Sequence, residues 1–278
     1  MKIFKKKTEL YQWNQAHSKQ SIGFVPTMGA LHQGHLSLVR AAKKECDQVV
    51  VSIFINKLQF GANEDFNQYP RSIEEDISQL KKEQVDVLFV PHQTDIYPNN
   101  FSFQIDEINI SKKLEGVSRP DFFSGVMIVV LKLFNLVQPT FVYFGEKDIQ
   151  QLCVIKKLIE NFNFPITLRA CPTVREQTGL AMSSRNKYLS KNDKKDAAIL
   201  YRTLKKGKLL IKENETIEKI KKQMFELLTN KNITIEYLSI ANLNTFEEIA
   251  DNNTRPIVIA GAIYYKKIRL IDNVIIEK

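Results

Sequence analysis

Four near-continuous apolar runs, at residues 22–27, 49–55, 85–90 and 140–144, constrain this chain more than any other feature. A strand with one wet face alternates apolar and polar residues. A run that is apolar on both sides must be covered on both faces, as in a parallel sheet wrapped by helices. Residues 166–170 read as a further strand. Helical spacing fills the intervals, over residues 35–45, 73–83, 125–138 and 149–161. Ser72 ahead of the acidic turn Glu74, Glu75 and Asp76 is N-cap chemistry. The pattern predicts an α/β fold with a doubly wound, Rossmann-like parallel sheet, whose ligands sit at the carboxyl ends of the strands.

After about Val174 the character changes. Two long amphipathic helices, residues 193–212 and 216–230, precede strand-like residues 234–240, 256–264 and 268–271. This predicts a Rossmann-like domain over residues 1–175 and a smaller C-terminal α+β domain over 176–278. The hinge is expected near residues 176–179. Three scattered cysteines, Cys46, Cys153 and Cys171, suit neither a disulfide framework nor a zinc site and point to a reducing, cytoplasmic setting. No apolar run reaches membrane-span length, and the basic residues 1–7 are not followed by a signal-peptide apolar segment. The net charge of +9 is spread among acidic residues without a tight basic cluster carrying aromatics, which argues for anionic small molecules over nucleic acid.

The first run leads into IGFVPTMGALHQGH, residues 22–35. A strand passing through a glycine-containing turn into a helix presents free backbone N–H groups to a phosphate. His32 and His35 at that helix's mouth can donate to phosphate oxygens as charge develops. A metal pair, or histidines that only pack or cap, are the alternatives; no cysteine or third histidine lies near in sequence, which favours the nucleotide site.

Three further constellations follow strands. Asn56, Lys57, Gln59 and Phe60 come after the second run, and side-chain amides there suit a ligand with hydroxyl and carboxylate groups. Gly145, Glu146, Lys147 and Asp148 come after the fourth; the lysine suits a phosphate and the aspartate a ribose or a metal. Met182, Ser183, Ser184, Arg185 and Asn186 follow Gly179, a combination suited to a loop closing over phosphates. The plain alternative for each is an ordinary polar turn.

Taken in order, HxGH, NxxQF, GEKD and MSSRN resemble the pantoate–β-alanine ligase (pantothenate synthetase) family over essentially the whole chain. Glu115-Gly116, Arg119-Pro120 and residues 132–139 add to the likeness. The resemblance implies an ATP-dependent ligase that condenses (R)-pantoate with β-alanine through a pantoyl adenylate, releasing AMP and pyrophosphate, with Mg2+ accompanying ATP. It implies that Met28, Gly29, Ala30, Leu31, His32, Gln33, Gly34 and His35 contact ATP, with His35 as proton donor. Lys147, Ser183, Ser184 and Arg185 would hold phosphates, His32, His35, Lys147 and Arg185 being the catalytic set. Gly145, Glu146, Asp148, Val174 and Met182 would also contact the nucleotide, while Gln59, Gln151 and Asn56 would bind pantoate. A cytoplasmic homodimer is the implied assembly. Lys57 stands where many relatives carry proline, which loosens the turn or adds positive charge near the pantoate carboxylate. The competing readings are another HxGH-type nucleotidylyltransferase and a non-catalytic nucleotide- or RNA-binding protein on the same fold.

Overall fold

The computed structural model of the chain describes residues 1–61, 66, 68–229 and 232–277. Strand β1 (Lys2–Phe4) and helix α1 (Lys7–Ala16) open the chain, followed by β2 (Ile22–Thr27), α2 (Gln33–Glu45) and β3 (Gln48–Ile53). Next come α3 (Ile73–Lys82), β4 (Val87–Phe89) and the single-turn helices α4 (Gln93–Ile96) and α5 (Glu115–Ser118). Helix α6 (Phe122–Val137), β5 (Phe141–Gly145), α7 (Ile149–Asn161) and β6 (Thr167–Cys171) complete the first sheet.

That sheet is parallel throughout, in the order β1-β4-β3-β2-β5-β6. The apolar runs are continuous because both faces are covered. Phe24 and Val50 enter one core with Leu10 and Trp13 of α1, Val130 of α6 and Val154 of α7. Val25, Val49 and Val51 enter the other, with Val39 of α2 and Leu80 of α3. The strand order reverses between β2 and β5, so the crevice at their carboxyl ends is the topological switch point where such sheets bind ligands. The HxGH turn and the GEKD turn leave the sheet from these two adjacent strands.

The C-terminal segment carries α8 (Lys191–Ala197), α9 (Ile199–Lys212) and α10 (Ile217–Leu228) on an antiparallel sheet of β7 (Ile233–Asn242), β8 (Ile257–Tyr265) and β9 (Ile268–Ile276). Leu204, Leu210, Ile220 and Met224 of its helices pack on Ile240, Ile259 and Ile263. Ala241, Phe246, Val258 and Ala260 join the core that covers the first sheet, so the two sheets share apolar contacts.

Several expectations are corrected. The pattern missed β1, an exposed edge strand of three residues that carries little periodicity, and α1, a ten-residue helix that buries only Leu10, Trp13 and Asn14. The single helix expected at 193–212 is two, meeting at Ala198, whose ψ of −7° departs from the helical value. The helix expected to reach Asn230 ends at Leu228, Asn230 itself lying outside the described residues. The strand expected to stop at Ile271 runs on to Ile276. Ser72 makes no side-chain cap, and its buried Oγ has no partner among the described residues. No correction applies to the cysteines: Cys46, Cys153 and Cys171 are free thiols, in agreement with the reading of their spacing.

Candidate active site

At the end of β2 the chain turns sharply. Thr27 Oγ1 donates to the Ser52 carbonyl (2.8 Å) and accepts from Gly29 N (3.1 Å), after which Gly29 and Ala30 both take positive φ (82° and 51°). The left-handed conformation is costly for alanine. It is held by Asp76 of α3, whose carboxylate accepts from Ala30 N (2.9 Å) and Leu31 N (2.7 Å) while only 1 % exposed. Burial raises the Asp76 pKa, and the two backbone bonds work against that rise. Asp76, read from sequence as helix-start chemistry, therefore reaches back to build the turn.

The histidines follow. His32 caps α2 from extended backbone, its Nδ1 accepting from Gly34 N (3.1 Å), which leaves the proton of the neutral ring on Nε2. Its ring stacks on His35 with centroids 4.0 Å apart. A side chain at Gly34 would put a Cβ 2.8 Å from His32 Cε1, so the glycine of HxGH is what lets the capped ring lie flat against the helix. His35 lines the cleft, and its buried Nδ1 has no partner among the described residues. Burial, then the nearby Lys147 ammonium, pushes His35 down to about 4. Burial, then His35 and Lys147, pushes His32 down as well. Both rings are neutral donors near pH 7.

Beside them, β5 ends in a 3₁₀ turn, Glu146–Asp148, that runs into α7. Lys147 Nζ lies 3.9 Å from Asp148 Oδ2, and both side chains face the cleft with Gln151. The serine-rich segment returns to the same place. An isolated bridge between Arg175 and Ala181, and the bond from Met182 N to the Val174 carbonyl (2.9 Å), fold it back on itself. Ser184 Oγ then donates to the Ala30 carbonyl (3.2 Å) and receives the Tyr69 hydroxyl (3.5 Å). Ser183 Oγ accepts from Arg185 N (3.3 Å), starting the 3₁₀ turn Ser184–Tyr188.

His35, Lys147, Asp148, Ser183, Arg185, Gln59 and Gln151 line one cavity of about 220 Å³. Met182, Ser184 and Val174 are outside its lining, and Ser184 is 7 % exposed and spent on the HxGH turn. Asn56, expected to bind substrate, is fully buried: Nδ2 donates to the Gly125 carbonyl (2.9 Å), and Oδ1 accepts from Leu58 N (3.3 Å) and the Tyr97 hydroxyl (2.9 Å). Its amide is committed to the fold and positions the 3₁₀ turn Lys57–Gln59 that presents Gln59. Lys57 is not in the lining of this cavity; it is exposed and borders a second cavity of about 760 Å³.

Residues the pattern could not single out complete the walls. Arg119 stacks on Phe122 (3.8 Å) and donates to the Gln59 carbonyl (3.0 Å). Arg269, from β9, makes a two-bond pair with buried Glu115 (2.9 Å each) and bonds Glu236 (2.7 Å). Both arginines line the cleft. Glu115-Gly116 and Arg119-Pro120 were visible only as motif fragments, and Arg269 carried no local signal. Packing beneath the Gln59 turn is tight at Gly125, where a Cβ would fall on the Leu58 carbonyl and 3.0 Å from Gln59 N. Gly125→Ala is expected to force the Gln59 turn off α6 at a cost of about 1–3 kcal/mol. Urea unfolding measures that loss, and a parent-like midpoint would show the turn adapting freely.

The family model for pantoate-beta-alanine ligase matches residues 2–275. Pantothenate synthetase of Thermosipho africanus is 47 % identical over 279 residues, covering 99 % of this chain and all of the relative. That of Syntrophomonas wolfei is 46 % identical with complete coverage of both. The crystal structure of the Thermus thermophilus pantothenate synthetase superposes with a TM-score of 0.93 at 39 % identity, covering 99 % of each chain. The Francisella tularensis pantoate-beta-alanine ligase, complexed with beta-gamma ATP and beta-alanine, gives 0.82 at 36 % identity, covering 99 % of this chain and 97 % of that one.

Proposed function

The chain belongs to the pantoate-beta-alanine ligase family, and on that premise we propose that it condenses (R)-pantoate with β-alanine through a pantoyl adenylate, releasing AMP and pyrophosphate. The observation that carries this reading is the convergence of His35, Lys147, Ser183 and Arg185 with the amides of Gln59 and Gln151 on one cavity. Cations and neutral N–H donors suit a polyphosphate; amides that both donate and accept suit a hydroxy acid.

In the first step a pantoate carboxylate oxygen bonds to the α-phosphorus of ATP as the bond from that phosphorus to the pyrophosphate oxygen breaks. Pyrophosphate leaves with the electron pair. In the second, the β-alanine nitrogen bonds to the acyl carbon, the bond to AMP breaks, and the amine proton passes to solvent. The protein's task is positioning and charge neutralisation. Lys147 and Arg185 would take phosphate charge, and His35, neutral and stacked on His32, would donate to oxygens whose charge grows in the transition state. Gln59 and Gln151 would hold pantoate.

Magnesium would arrive on the nucleotide. Among the described residues no group of three or more His, Cys, Asp and Glu side chains could hold a metal ion. A phosphate-borne magnesium needs few protein carboxylates, and Asp148, on the cavity wall beside Lys147, fits that need. When bound, the ion neutralises phosphate charge.

We further propose that residues 1–175 form the nucleotide- and pantoate-binding domain and 176–278 a lid domain. The cytoplasmic homodimer stays the expectation that family membership supports, testable by light scattering. No helix among the described residues is long and apolar enough to cross a membrane.

The test is ATP–pyrophosphate exchange that depends on pantoate, followed by AMP release that depends on β-alanine. Exchange with a different acceptor would favour another nucleotidylyl transfer, and ATP binding with no exchange would favour a non-catalytic protein.

A further inference from the structure

Strand β9 departs from its own apolar pattern at Asp272 and Asn273, which are 5 % and 7 % exposed. Buried polar side chains in a strand need partners, and here both sets come from outside the C-terminal sheet. The Asp272 carboxylate pairs with Arg175 through two bonds (2.6 and 2.9 Å). Arg175 in turn donates to the Gly179 carbonyl (3.2 Å) and lies 3.4 Å over the Tyr201 ring. Asn273 Nδ2 donates to two consecutive carbonyls, Glu146 (2.8 Å) and Lys147 (2.9 Å), and its N–H donates to Asp272 Oδ1 (2.9 Å).

Adjacent strand residues point to opposite faces. One dipeptide can therefore grip two separate loops, and these two are the loops that carry Lys147 and Arg185 to the cleft. The turn Glu146–Asp148 has no side-chain cap of its own at its start. Lys147 reaches the cavity on a flexible four-carbon stem, so its ammonium is only as well placed as the backbone beneath it. Arg175 and Gly179 form the root of the segment whose Ser183 and Arg185 line the same cavity.

We propose that Asp272 and Asn273 are positioning residues for the nucleotide. Asn273 sets the turn that presents Lys147 and Asp148, and Asp272, acting through Arg175, sets the root of the serine-rich segment. The inference rests on the ATP-binding reading above. It makes the C-terminal sheet part of the nucleotide site through backbone geometry.

The test uses Asn273→Ala and Asn273→Asp in the full-length chain. The aspartate variant keeps size but puts an acceptor where the donor was, and the alanine variant removes the donor without adding charge, so a loss common to both reports the missing donor. Calorimetry with an ATP analogue bearing a methylene α–β bridge is expected to show about a tenfold weaker nucleotide affinity for both variants. Pantoate-dependent exchange should fall by about 10- to 100-fold, the scale of a small misplacement of a reacting group. The pantoate KM should move less than twofold. Hydrogen exchange should quicken over residues 145–149 and stay at the parent rate over β7 and β8. Nucleotide affinity within twofold of the parent in either variant, or faster exchange across the whole C-terminal sheet, overturns the inference and leaves the proposed function standing. A parent chain that does not bind the analogue overturns the proposed function, and the inference with it.

Discussion

Replacing His35 by alanine is expected to lower pantoate-dependent adenylate formation by roughly 10²–10³, the usual cost of one preorganised donor at a developing charge. The fold should survive, because the ring lines the cavity and its neighbour His32 is held independently by Gly34 N. The protonation state sharpens the expectation. Burial and Lys147 push His35 down to about 4, so the ring stays neutral across the pH range in which a free imidazole titrates. The His35-dependent part of the rate should show no break between pH 6 and 7. Stability carries the opposite signature. An unfolded chain protonates this histidine below about 6.5 while the folded chain does not, so stability present above that pH drains away as pH falls toward 4. Exchange rates between pH 5 and 8, with thermal unfolding of parent and His35→Asn, check both points. A rate loss centred near 6.5 that disappears in the variant would mean a charged ring at work.

Asp76→Ala should be the most damaging single change to stability around the cleft. The carboxylate makes two backbone bonds in a nearly water-free position, and bonds to a charged group contribute about 1.5–3 kcal/mol each. Losing both is expected to cost about 3–5 kcal/mol, with two buried N–H groups stranded. The damage is local as well as global. Ala30 keeps its left-handed φ only while the turn is held, and the Ala30 carbonyl is where Ser184 docks. The variant should therefore lose adenylation even under conditions where it remains folded. Asp76→Asn keeps the size but turns an NH2 toward one of the two N–H donors, so an intermediate loss is expected. Denaturant midpoints together with exchange rates decide this. A midpoint within about 1 kcal/mol of the parent for Asp76→Ala would show that the turn supports itself.

The portions of the site legible in the sequence are those whose chemistry and position are both local. Histidines three apart after a strand and a glycine, or a lysine directly after an apolar run, can be read from spacing because the strand end itself aims them. Asn56 shows the limit of that reading. An amide at a strand's end looks like a ligand group, yet its partners are Gly125 and Tyr97, and it holds Gln59 in place. Ser184 shows it again, since the hydroxyl expected to meet a phosphate bonds a carbonyl 154 residues away.

Apolar runs that need cover on both faces, alternating with helical segments, were enough to predict the parallel sheet, and the residues after each run singled out the loops to which phosphate binding is assigned here. The resemblance carried by those loops, in order, also pointed to the family that the chain proved to match. Only the tertiary structure decided which polar groups face the cleft and which hold it together. Asp76, Gly125, Arg269, Asp272 and Asn273 act on partners 33 to 154 residues distant. A buried polar side chain reveals its role only through the group it pairs with, and chain folding, not local spacing, chooses that group.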